Sequence, residues 1–194
     1  LERAQQKVEA RNFDIRKTLI KFDNVLNDQR QVVFSQRKEA MDSEKIFDYS
    51  INFLDEIKKD LIGLKIEKIA NPKNPHFENQ IKTLMGKNLN EEELDNLLKK
   101  SDNELMKLIS DKFYETREER IKLLGINQAK QIVKRIFLQS IDINWKSHIQ
   151  YLEQLRQVIG LRSYGQRDPL IEYKKEAFSL FEDLLKKLKQ DYIN

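Results

Sequence analysis

Cysteine is absent from this sequence. That excludes disulfides and thiolate metal sites; a reducing compartment is compatible with it but not required by it. Glycine and proline are scarce, at five and three residues, and neither interrupts 1–62 or 126–159. With few breakers and abundant Leu, Lys, Glu, Ile and Gln, such stretches read as helix. No run approaches the ~18 apolar residues of a membrane span, and no secretory signal is legible. There is no G-x-x-x-x-G-K-[ST] phosphate loop, no nucleophile elbow and no Cys–His pairing. The two histidines, His76 and His148, lie far apart and make a poor zinc set without thiolates. No catalytic constellation is present, so this piece alone is not expected to be an enzyme.

What is present is charge. Of 194 residues, 35% are charged and 39% hydrophobic, so the core is thin or the fold elongated. Lys plus Arg is 36 and Asp plus Glu is 32, a net charge of +4. The two signs interleave, which argues against a nucleic-acid partner. The length suits one large domain or two small ones. The sequence begins at Leu1 inside a helical pattern, as expected of a piece of a longer protein.

Residues 1–41 read as one long helix. Ala4, Val8, Ile15, Leu19, Phe22, Leu26 and Val33 follow helical steps, and Phe13, Ile20, Val25, Val32 and Phe34 lie off that stripe. A helix apolar on several sides has several neighbours. It is either a core helix of a bundle or a strut bridging several domains, some of them absent from this chain; pattern alone does not choose. A second helix runs from about Glu44 to Ile69, its expected buried row being Phe47, Ile51, Leu54, Ile57 and Leu61. Asn71-Pro72-Lys73-Asn74-Pro75 stops it. A short helix over 77–85 ends on Gly86 as C-cap. Asn90 with Glu93, and Ser101 with Glu104, form capping boxes for two more helices, the second ending at Gly125. This segment, 44–125, reads as an inserted helical subdomain.

Residues 126–159 form the second long helix, with Ile126, Ala129, Val133, Ile136, Phe137, Ile141, Trp145, His148, Ile149, Leu152, Leu155 and Ile159 at helical spacing. His148, one turn from Trp145, is read as a packed structural histidine in preference to a ligand or base. Asp168 and Pro169 restart the chain as N-cap and first helical residue. The last helix carries Leu170, Ala177, Phe178, Phe181, Leu184, Leu185, Leu188 and Tyr192 on one expected face. A short loop joins these helices, so they pack antiparallel. That loop holds Leu161, Arg162, Ser163, Tyr164, Gly165, Gln166 and Arg167, with Arg156 just before it. An aromatic ringed by Arg on a tip has the composition of a contact hot spot; alternatively, Tyr164 folds back and caps the hairpin. Pattern alone favours the packed reading.

Leu1-Glu2-Arg3-Ala4-Gln5-Gln6-Lys7-Val8-Glu9-Ala10-Arg11-Asn12-Phe13-Asp14-Ile15-Arg16-Lys17, with Asn27-Asp28-Gln29-Arg30, resembles the long scaffold helix of the SecA family of bacterial protein-export motors. Asp142-Ile143-Asn144-Trp145-Lys146-Ser147-His148, the unbroken run from Leu155 to Pro169, and Glu172-Tyr173-Lys174-Lys175-Glu176-Ala177-Phe178 resemble the family's two-helix finger. The middle resembles its helical wing in position and helicity, not in residues. Ser163 and Gly165 stand where the family usually has other small residues.

The resemblance implies an all-α fold: scaffold helix 1–43, wing 44–125, and second scaffold part with finger 126–194, the tip at 161–167. It implies a cytoplasmic protein, peripheral on the inner membrane, that couples ATP-driven movement to passage of unfolded preprotein through the SecYEG channel. Its finger would regulate the ATPase and touch the moving chain through Tyr164. Arg156, Arg162 and Arg167 would face the channel or anionic phospholipid. ATP and Mg2+ would belong to motor domains outside this chain, and zinc to a C-terminal tail also outside it. Other implied partners are the parent's own nucleotide-binding and preprotein crosslinking domains and, as an option, a second parent copy. The competing reading is a helical interaction module unrelated to export.

Overall fold

Breakers and caps divide the chain into α1 (Glu2–Ala40), α2 (Ile46–Ala70), α3 (His76–Met85), α4 (Glu91–Lys99), α5 (Asp102–Leu124), α6 (Ile126–Ile159) and α7 (Pro169–Ile193). The computed structural model describes residues 2–41, 46–86, 90–160 and 168–193. Leu1 and Glu44, where two helices were expected to begin, and the side chain of Ala4 lie outside the described residues. Among the described residues there are seven helices and no strand, the all-α class that the sequence implies.

Local chemistry accounts for the ends. Asn90 Oδ1 accepts from the Glu93 amide at 2.7 Å while Glu93 Oε2 accepts from the Asn90 amide at 3.1 Å. Ser101 and Glu104 repeat the motif at 3.3 and 2.8 Å. The backbone amide and then the hydroxyl of Ser101 hold the Glu104 carboxyl below its usual range. Gly86 closes α3 in the left-handed region, φ +64°, with its amide on the Lys82 carbonyl. Asp168 Oδ1 accepts from the Leu170 amide at 2.8 Å and so caps α7.

The helices form two compact units. One comprises residues 1–39 and 140–186 and is described with the site below. The other comprises 40–139 and 187–194, so it takes in the start of α6 and the end of α7 besides α2–α5. Its core joins Leu54, Ile57, Leu61, Phe77, Ile81, Leu97, Leu105, Ile109 and Ile193. Tyr192 packs edge-on against Phe53 and Phe137, centroids 5.4 and 4.6 Å away, and its hydroxyl donates to the Ile46 carbonyl.

Two buried lysines tie this unit together. Lys65 Nζ donates to the Lys100 carbonyl at 2.6 Å and pairs with Asp102 at 2.8 Å, joining α2 to the α4–α5 junction. Lys68 Nζ reaches the Pro72 carbonyl and Glu78 at 2.5 and 2.6 Å. Both bury their stems and satisfy their ammonium groups with oxygen.

The buried row of α2 differs from the expected one. It runs through Ile46, Ser50, Leu54, Ile57, Leu61, Lys65 and Lys68. Phe47 is half-buried beneath the Arg117 guanidinium, 4.1 Å from the ring centroid, and Ile51 is exposed. Ser50 and Ile51 are consecutive and therefore about 100° apart around the axis; the stripe turns toward Ser50, leaving Ile51 at its edge.

Candidate functional site

The site is built on the three-helix unit of α1 up to residue 39, α6 from 140 and α7 to 186. Asp23 pairs with Arg156, Gln29 with His148, and Arg37 with Asp142. Numbers rise on one helix as they fall on the other, so α1 and α6 are antiparallel. Phe22 meets Tyr173 edge-on at 4.8 Å, while Gln29 reaches Ala177, so α1 runs parallel to α7. The helices α6 and α7 are therefore antiparallel, as expected of a hairpin.

The apolar seam contains Phe22, Leu152, Leu155, Ile159, Tyr173 and Ala177, with Val25, Leu26, Leu170 and Leu180 at its margin. Burial raises the Tyr173 hydroxyl's pKa, the nearby Arg156 opposing this. The row on α7 corrects one expectation. Phe178 is 62% exposed, whereas Tyr173, absent from the expected face, is buried. Ala177 occupies the seam at 0% exposure, and the residue after it turns about 100° away.

A polar chain crosses this seam. Gln29 Nε2 donates to the Ala177 carbonyl at 3.0 Å. That orientation turns Gln29 Oε1 toward His148 Nε2, 2.8 Å away, so His148 carries its proton on Nε2. Trp145 stacks on the imidazole and Phe181 tilts against it, centroids 5.5 and 5.8 Å away. Burial holds the His148 pKa down to about 4. His148 is the packed, satisfied histidine expected from its place beside Trp145. Gln29 was missed; the signal was a polar residue at a seam position between Leu26 and Val33.

Leu161, Arg162, Ser163, Tyr164, Gly165, Gln166 and Arg167, the predicted tip, lie outside the described residues. Arg156 is described. Its guanidinium bonds Asp23 at 3.1 Å and Glu153 at 3.0 Å, so it sits within a small neutralised cluster. Exposed apolar residues recur on the hairpin, with Tyr151 and Val158 on α6 and Ile171 and Phe178 on α7. The first half of α1 also exposes Val8, Phe13, Ile15, Leu19 and Ile20. Among the described residues no three His, Cys, Asp or Glu side chains stand together as metal ligands, and no helix is long and apolar enough to cross a membrane.

The family model described as SecA Wing and Scaffold domain matches residues 1–194. A protein translocase subunit SecA of Pelagibacter ubique (strain HTCC1062) is 65% identical over 193 residues, covering 100% of this chain and 23% of that relative. One from Halothermothrix orenii is 37% identical over 197 residues, covering 100% of this chain and 23% of its own length. A SecA 1 subunit of Rhodopseudomonas palustris (strain BisA53) is 40% identical over 193 residues, covering 98% and 20%. The chain thus spans 20–23% of the length of these curated relatives.

Proposed function

Since the chain belongs to the SecA wing and scaffold family, we propose that, within a longer protein, it forms the scaffold, wing and two-helix finger of a protein-export motor. In this reading α1 is the strut, α2–α5 the wing, and the α6–α7 hairpin the finger. The observation that carries it is the antiparallel pair of α6 and α7, fastened between residues 142 and 156 of α6 to a 39-residue helix. Such a helix, about 60 Å long at 1.5 Å per residue, can deliver movement to a hairpin. The uncovered apolar residues of the first half of α1 suit contact with motor domains of the parent.

The fingertip Leu161-Arg162-Ser163-Tyr164-Gly165-Gln166 would touch unfolded preprotein at the mouth of the SecYEG channel. A translocating chain presents every side chain in turn, so its handle must be unselective. Tyrosine offers a broad apolar face and a hydroxyl with few torsions to order. Arg162 and Arg167 would meet acidic channel loops or anionic phospholipid at the cytoplasmic face of the membrane, whereas Arg156 is already paired with Asp23 and Glu153. Each basic residue near an anionic surface contributes about 1 kcal/mol. ATP with Mg2+ would act in the parent's nucleotide-binding domains, whose hydrolysis rate the finger regulates, and zinc would bind a distal tail.

The test is Tyr164→Ala in the longer parent protein. Preprotein transport into SecYEG vesicles should fall steeply while ATP binding stays intact. Undiminished transport would remove the fingertip role, and failure of the parent to bind SecYEG would favour an interaction module unrelated to export.

A further inference from the structure

Along α1 the seam carries a polar residue where its spacing calls for an apolar one. Phe22 and Val33 are buried, Leu26 is half-buried, and Gln29 among them is only 7% exposed. The apolar series does not stop at Phe22. Ile15 and Leu19 repeat the spacing one heptad earlier and stay exposed. A slide of α1 by seven residues, about 10 Å along its axis, would put Ile15 in the place of Phe22 and Leu19 in that of Leu26. Phe22 would replace Gln29, and Leu26 would replace Val33. Those four positions would then all be apolar, with Thr18 in the place of Val25 at the margin, and non-directional hydrophobic burial does little to tell the two registers apart.

The polar pair does. After such a slide the buried His148 N–H would face Phe22 with no acceptor, at a cost of about 1–3 kcal/mol. A slide the other way brings Gln36 under His148 but forces the Gln29 amide into the place of Phe22, against Tyr173. The flanking pairs Asp23–Arg156 and Arg37–Asp142 are largely exposed and contribute little to the choice.

We propose that Gln29 and His148 form a register latch, fixing α1 against the α6–α7 hairpin in one of two apolar-compatible registers. Movement of the strut then reaches the finger as rigid displacement instead of slippage. Register selection is the best-attested use of a buried polar residue in a helical seam. The latch itself stands on the geometry above; its consequence for transport rests on the finger reading.

Thiol cross-linking tests it, because the sequence has no cysteine of its own. Arg37→Cys with Asp142→Cys reports the observed register, and Arg30→Cys with Asp142→Cys reports the slipped one. A short bismaleimide is applied at high salt, which screens the surface pairs and the approach of Arg16 to Arg156. The unaltered seam should cross-link only the first pair. Gln29→Leu with His148→Phe removes both polar partners and should keep the helical circular dichroism while raising the slipped product several-fold. His148→Gln, whose amide can still donate to Gln29, should keep that product at background.

Slipped product from the unaltered seam, or none from the folded double variant, overturns the latch. Loss of helical structure in the double variant overturns it equally, since the pair would then hold the fold and not the register. Failure of the export reading would appear separately, as normal transport by Tyr164→Ala, and would leave the cross-linking result intact.

Discussion

His148 Nε2 lies 2.8 Å from Gln29 Oε1, and through the Gln29 amide the contact extends to the Ala177 carbonyl. One side chain thus joins three helices. Gln29→Ala would leave the imidazole N–H buried and unpaired, at a cost of about 1–3 kcal/mol. Replacing both partners by apolar groups should cost much less. Urea unfolding of the single and double variants checks the difference.

The same imidazole makes the fold sensitive to acid. Its pKa is lowered from 6.5 to about 4 by burial, so below 6.5 the unfolded chain takes up a proton that the folded chain refuses. The stability contributed by neutral His148 is fully present above about 6.5 and is lost as pH falls toward 4. The slope from this one group is at most about 1.4 kcal/mol per pH unit. His148→Phe should flatten the pH dependence of the unfolding midpoint in that window.

Tyr173 and Phe178, five positions apart on α7, should behave oppositely. Tyr173→Ala removes a buried ring that meets Phe22 edge-on and should cost about 3–5 kcal/mol. Phe178→Ser alters an exposed ring and should change stability by no more than about 0.5 kcal/mol. Thermal denaturation of the two variants decides it.

Lys65 holds the α4–α5 junction from α2. Lys65→Met keeps the stem and removes the donor, leaving the Lys100 carbonyl without it. The expected loss is about 1–3 kcal/mol, seen as faster amide exchange over 91–105 with little change in α1.

Gly86 ends α3 at φ +64° with open space where a Cβ would stand. The cost of Gly86→Ala is therefore conformational, about 1 kcal/mol. A loss several times larger, read by thermal melting, would mean that the site is sterically closed.

Much of this architecture is local, and the local part was legible. The Asn90 and Ser101 capping boxes, the Gly86 cap, Asp168 before Pro169 and the stop at Asn71-Pro72 each act through neighbours a few residues away. They determine helix order and ends before any packing occurs. The long runs over 1–17 and from 142 onward also made the family recognisable.

Burial could not be read the same way. Ile51 and Phe178 carry the right residue type at nearly the right spacing, yet both are exposed. Lys65 and Lys68 fall outside any apolar pattern, yet both are buried against oxygen partners that other segments bring to them. The α1 stripe is apolar from Val8 to Val33, but only its later part is covered within this chain. An apolar period states that a face can be buried, not which neighbour arrives to bury it. The sequence by itself therefore determined the order of the helices, their capped ends and their kinship; only the tertiary structure decided which stretch of α1 meets the hairpin, because that choice rests on directional bonds between residues as distant as Gln29 and His148.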